Sequence, residues 1–273
     1  MRRPAVAGQF YSEDKGRLIS EIKSCFESPI GPGDSAPPVS KKRRSTVGAV
    51  SPHAGYVFSG PVAAHLYRKL WAQEPPKTVV IMGPNHTGFG AGVAITSEAF
   101  QTPLGTVKTD GELIGDLVGD LIIDDSEAHA YEHSLEVQIP FMQYIGWNPL
   151  IVPICIGAQD FETLTAVGEK LRKTIAGRDD VLIIASSDMS HYVPPKVAKE
   201  LDMKAIECIL AMDPRRLYET IITKNITMCG FAPTVVMIDA LKGSKAELLK
   251  YATSGDVRPM GEVVGYASIS LDR

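Results

Sequence analysis

The chain has no disulfide framework, no membrane-length apolar run and no large excess of either charge. Its four cysteines, Cys25, Cys155, Cys208 and Cys229, are spread without pattern through 273 residues, whereas a small secreted scaffold spaces them closely. Reduced thiols are the expectation. No apolar stretch approaches the ~20 residues that span a bilayer, and the opening MRRPAVAGQFYSED turns polar too early for a signal peptide. These absences argue against a membrane protein and for a cytoplasmic one. A formal net charge of −4 gives no general attraction to nucleic acid or to an anionic membrane surface. No repeat of solenoid length is present, and the basic run Lys41-Lys42-Arg43-Arg44 borders a Gly/Pro-rich loop at 31–40, where it reads as solvated.

What is present is an alternation of helical and extended patterns, which predicts one α/β domain over 1–273: a mostly parallel or mixed central sheet covered by helices on both faces. Leu18, Ile22 and Phe26 mark an opening helix. Val62, Leu66 and Leu70 mark a second over 61–71, with Pro61 in its first turn. Strands are expected at 46–50, 78–81, 150–156 and 181–185, with further strands at 92–95 and around Val107, then a helix over 110–121. Asp160 and Asp213 read as N-caps, and Pro194 and Pro195 open another helix. The closing runs 247–252 and 262–271 read as strands, the last near a sheet edge.

Three histidines stand just past separate apolar, β-branched runs. The turns SPHAGYVFSG, GPNHTGFG and SSDMSHYV carry His53, His86 and His191. In an open α/β sheet, ligands bind outside the carboxyl ends of the strands, so three histidines there can converge on one site. Cys229 precedes an apolar run at 235–241 that reads as a buried helix, and unpaired amides at a helix start favour a metal-binding thiolate. Two imidazoles and a thiolate suit Zn, Fe or Cu better than Mg or Ca and leave an open position. Alternatively, each histidine braces its own turn and Cys229 is a small buried residue. Asp188 and His191 read either as a carboxylate orienting a general base or as a cap beside a solvated ring. His133 and Glu136, at i,i+3 on an expected helix, share a face that lines a pocket, backs a ligand or meets solvent. His65 and His129 read as structural or solvated.

Taken together, VAGQFY, SPHAGYVFSG, GPNHTGFG, YEHSLEVQIPF, SSDMSHYV and MCGFAPT, in this order, resemble the Memo family, named for a mediator of ErbB-driven cell motility and found also in microbes. The resemblance implies a fold like that of class III extradiol dioxygenases, which open catechol rings with non-haem Fe(II). It implies His53, His86 and Cys229 as the metal triplet, with Asp188 and His191 as the catalytic pair beside it. Cys229 stands where those dioxygenases have a carboxylate, which admits Cu as well as Fe(II), with Zn as a substitute. Phe10 stands where the family often has Trp, keeping an aromatic wall without its N–H donor. Phe10, Tyr11, Tyr56, Asn85, His133 and Glu136 form the expected ligand-contacting set, for a small molecule or a peptide. Microbial relatives imply radical-SAM and AMMECR-type partners. The leading expectation is a metal-dependent redox enzyme. The competing one is a peptide- or metal-binding adaptor using the same crevice, and zinc-dependent hydrolysis finds no support in the family.

Overall fold

The computed structural model describes residues 1–273. In chain order the elements are α1 (Lys15–Glu27), β1 (Thr46–Ser51), α2 (Tyr56–Trp71), β2 (Thr78–Pro84), β3 (Val93–Ile95), β4 (Phe100–Thr102), β5 (Gly105–Val107) and α3 (Gly111–Leu117). Then follow β6 (Ile123–Asp124), α4 (Ile139–Tyr144), β7 (Leu150–Ile156), α5 (Phe161–Thr174), β8 (Val181–Ser186), β9 (His191–Val193), α6 (Pro195–Leu210), α7 (Pro214–Lys224), α8 (Phe231–Ala240), β10 (Lys245–Thr253), α9 (Ser254–Val257) and β11 (Val263–Asp272). No helix is long and apolar enough to cross a membrane.

The main sheet runs β10-β11-β1-β8-β2-β7-β3-β6, with β9 paired to β11. Its centre, β1-β8-β2-β7, is parallel, and β11 and β3 join it antiparallel. Every residue of β1, β2 and β8 is buried, as a parallel strand covered on both faces requires, and this is why those segments read as unbroken apolar runs. One face packs on α1, α2 and α4 through Leu18, Leu66, Tyr67 and Phe141; the other packs on α5 to α8 through Leu164, Leu171, Ile209 and Val235. The result is a three-layer sandwich. The crossovers that carry α2 and α5 lie on opposite faces, and β8 inserts between β1 and β2, so the carboxyl ends of three adjacent strands open into one crevice.

Several local expectations change. α2 begins at Tyr56 behind Gly55, so Pro61 lies inside the helix. Its missing N–H leaves the Val57 carbonyl without a helical partner, at an exposed residue of the first turn. α3 stops at Leu117 because the Gly119 amide turns back onto the Ile122 carbonyl. β11, read as a strand near a sheet edge, does lie there, one strand in from the edge that β10 forms. Lys41 to Arg43 are solvated, but Arg44 folds back to donate to the carbonyls of Thr46, Val181 and Asp179, tying β1 to β8.

His65 meets the Ile30 carbonyl at 2.9 Å, and His129 is buried against the Ala94 carbonyl at 3.1 Å. Burial lowers His129 from 6.5 to about 4. A depressed folded pKa means the stability present above pH 6.5 is lost as pH falls toward 4, by about 2 kcal/mol at pH 5. In urea unfolding of metal-free protein, His129→Gln should therefore lose about that much less stability than wild type between pH 7 and pH 5. Equal losses would show that the ring is hydrated in the folded state.

Candidate metal centre

His53 lies two residues beyond β1 and His86 two residues beyond β2, while His191 begins β9 after a short turn from β8. The sheet order therefore brings the three strand ends side by side. His53 and His86 ring centroids are 5.2 Å apart, and His133 joins them at 5.4 Å and 4.6 Å. One ligand atom from each of His53, His86 and His133 lies within 4.8 Å of the others, so these three imidazoles could together hold a metal ion. The third imidazole in the cluster is thus His133, whereas the sequence reading placed Cys229 third. Cys229 stands at the edge of the triplet, with Sγ 3.2 Å from His53 Nε2.

The surrounding hydrogen bonds set the ring tautomers. Ser186 Oγ donates to the Ser134 carbonyl at 2.6 Å and so has no proton left for His53. It must therefore accept from His53 Nδ1–H at 3.0 Å, and it also accepts from Gln138 Nε2. His53 Nε2 is left with a free lone pair. His86 Nδ1 donates to Glu132 at 2.9 Å, which frees its Nε2 in the same way. Glu132 also accepts the amides of His86 and Ser134. Burial alone would raise its pKa, but these bonds and the two neighbouring histidines hold it down to about 2. Burial keeps His53 neutral and lowers His133 to about 4. A fixed outer nitrogen is what a metal-ligating histidine needs, and His53 and His86 each have one.

Cys229 precedes α8 as expected, yet its thiol is not a thiolate here. Burial, then the Asp188 charge, push its pKa far up, overriding the amides of Asp188 and Gly230. The S–H therefore points to the lone pair on His53 Nε2. Gly230 is needed beside it: a Cβ there would stand 2.3 Å from the Ser186 carbonyl oxygen and 2.4 Å from Ser187 Cβ. Gly230→Ala is expected to cost about 1–3 kcal/mol in urea unfolding and to speed reaction of Cys229 with a thiol reagent. An unchanged labelling rate would refute this account of how Cys229 is placed.

Asp188 does not orient His191. Its Oδ1 accepts the amides of His53, at 2.8 Å, and Ala54, fixing the first histidine turn, and burial raises it to about 6 against those bonds. His191 is held by Thr227 instead: its Nδ1 meets the Thr227 carbonyl at 2.8 Å and its amide donates to Thr227 Oγ1. Nδ1 therefore carries a hydrogen, which leaves Nε2 as the nitrogen that can exchange a proton.

Among the expected ligand contacts, Phe10 packs on His133 at 4.7 Å and stays beside the site. Tyr11 and Tyr56 are buried, donating to Glu136 and to the Val137 carbonyl. Asn85 Oδ1 and Nδ2 are taken up within the His86 loop by Thr87, Gly88 and Phe89. His133 precedes a 3₁₀ turn, Glu136–Gln138, so it shares no helix face with Glu136. Glu136 is fully buried and accepts from Arg2, Ala5, Val6 and Tyr11. Sequence reasoning missed Glu132 and Ser186, the groups that set the tautomers. The only available signal was a carboxylate immediately before His133.

With this geometry in view, comparison with known proteins is informative. A family model described as Memo-like protein matches residues 2–270. A MEMO1 family protein of Methanopyrus kandleri is 46% identical, covering 100% of this chain and 99% of its own. One from Methanothermobacter thermautotrophicus is also 46% identical, with 99% and 100% covered. Among solved structures, an uncharacterized protein of Escherichia coli K12 aligns with a TM-score of 0.56 at 15% identity, over 83% of this chain and 99% of that one. Such low identity speaks for the α/β fold alone. Full-length agreement with the family model and with close relatives makes this chain a member of the Memo family.

Proposed function

We propose that the chain is a metal-dependent redox enzyme whose ion is Fe(II) or Cu, held by His53, His86 and His133 with Cys229 alongside. The observation that carries the reading is the set of three clustered imidazoles, two of them with their outer nitrogens already bonded to Ser186 and Glu132. An imidazole set with a neighbouring thiol suits Fe, Cu or Zn and disfavours Mg and Ca. Iron or copper bound there would supply the one-electron and O₂ chemistry that side chains lack.

The chain's own residues do the rest. Glu132 and Ser186 hold the ligand rings, and Asp188 fixes the backbone at His53. His191 Nε2 takes or gives a proton at the mouth of the crevice, while the Thr227 carbonyl keeps its Nδ1 proton in place. A small-molecule or peptide ligand is expected above the cluster. The four free cysteines fit a cytoplasmic setting, and radical-SAM and AMMECR-type partners belong to the same reading. Protein purified without oxygen should carry about one Fe or Cu per chain by elemental analysis. It should also consume O₂ with a suitable substrate, and His191→Ala should slow that uptake. Retention of zinc alone, or of no metal, would overturn the redox assignment.

A further inference from the structure

A hollow of about 730 Å³ lies at the amino ends of β1 and β8, between Val47 and Val181 at those strand starts and the segments that close α5 and α8. The histidine cluster is at the carboxyl ends of the same strands, about 20 Å away along six residues of β1. Five cations, Arg172, Lys173, Arg178, Lys242 and Arg273, line the hollow, and Asp179 is its one acidic residue. Cations commonly sit at helix C-termini, but two such ends together carry only about one unit of negative charge. Three of the five also have carboxylates outside the hollow. Glu169 meets Lys173 at 2.8 Å, Asp239 meets Lys242 at 2.8 Å, and Asp180 meets Arg178 at 3.1 Å.

The guanidiniums of Arg172 and Arg273 are different. Arg172 comes no nearer to a carboxylate than 3.9 Å, and that carboxylate is Glu169, already held by Lys173. Arg273 has only the Arg178 carbonyl, at 3.3 Å. Arg44 stands behind them, donating to carbonyls alone, and burial, then repulsion from Arg273, lowers its pKa. Three guanidiniums are thus gathered without a carboxylate of their own. The backbone adds donors to the same place. Gly177 and Gly243, both at positive φ, line the hollow with amides that have no acceptor in the protein, and a Cβ at either would meet nothing within 4 Å. Ile175 and Leu241, half-buried against the core, supply an apolar floor between them.

We infer that this hollow binds a small organic phosphate monoester, with its phosphate on Arg172, Arg273 and the two glycine amides and its organic part on Ile175 and Leu241. A phosphate monoester carries close to two negative charges at neutral pH, and the planar guanidinium fork matches its oxygens. The volume suits a small molecule, and the cations ring one concave hollow rather than forming the stripe that a nucleic-acid backbone follows. The site is separate from the metal centre and does not depend on it.

Metal-free protein at low salt is titrated by calorimetry with phenyl phosphate and with inorganic phosphate. Phenyl phosphate should bind with a Kd below about 1 mM, and roughly threefold or more tightly than inorganic phosphate because its ring rests on the apolar floor. Arg172→Gln combined with Arg273→Gln should weaken phenyl phosphate by about tenfold or more. Both side chains are exposed, so the urea midpoint should stay unchanged, which separates loss of the cations from misfolding. Lys196→Gln, an exposed cation on α6, should leave the affinity as it is. Phenyl phosphate that fails to bind, that binds the double variant equally well, or that is weakened as much by Lys196→Gln overturns the site. Equal affinity for the two phosphates overturns the organic part of the ligand, leaving a hollow for a bare anion.

Discussion

Alanine at His53, His86 or His133 should lower metal affinity by about 100-fold or more, measured by anaerobic titration. Removing even a partner behind a ligand typically costs about 10–100-fold, and each of these rings offers a donor atom to the centre itself. His133 is the decisive position. If the triplet were His53, His86 and Cys229, then Cys229→Ala would be as damaging as His53→Ala, and His133→Ala would be mild. The geometry predicts the reverse ranking, because His133 lies in the mutual 4.8 Å cluster and Cys229 touches it only through His53. Glu132→Gln should fall between, by about 10–100-fold, since it keeps the shape but weakens the acceptor that fixes His86. Binding unchanged in all three histidine variants would remove the metal centre altogether.

Arg2→Ala should destabilise the fold by about 3–5 kcal/mol, a drop of roughly 10 °C in Tm for a chain of this size. Arg2 and Glu136 form an ion pair at 2.6 Å with side chains 3% and 0% exposed. The guanidinium also donates to the carbonyls of His129 and Glu132 and lies over Phe100. Truncating it leaves a buried carboxylate and two buried carbonyls without their partner, and that penalty exceeds the net worth of the pair. Arg2→Met combined with Glu136→Leu should therefore be more stable than Arg2→Ala, because no lone charge stays buried. A double variant no better than the single would mean the loss comes from packing. The effect should reach the site as well. Glu136 holds Ala5, Val6 and Tyr11, and this segment carries Phe10 against His133.

Much of the fold was legible because burial on both sheet faces leaves an unmistakable pattern. The runs beginning at Thr46, Thr78, Leu150 and Val181 are strands, and Asp160 and Asp213 cap helices through their own carboxylates. Where a local rule misled, a long-range contact had overridden it. The 133–141 segment has helical spacing, yet Glu136 is drawn to Arg2 from 134 residues away and the chain makes a 3₁₀ turn over Glu136–Gln138 before α4 begins at Ile139.

The site divides along the same line. The sequence alone established that His53, His86 and His191 stand in turns just past separate strands, because turn chemistry and hydrophobic period are local properties. It also established that Cys229 stands just ahead of a helix, and it carries the motifs of the Memo family. Only the tertiary structure decided which groups meet: His133 joins the cluster, Asp188 holds the His53 backbone, Thr227 holds His191, and Tyr11 and Tyr56 turn into the core. Those outcomes depend on β8 inserting between β1 and β2 and on the buried Arg2–Glu136 pair, contacts between residues far apart in the chain. No local pattern encodes such pairings, because burial and hydrogen-bond geometry choose among partners only once the layers have packed.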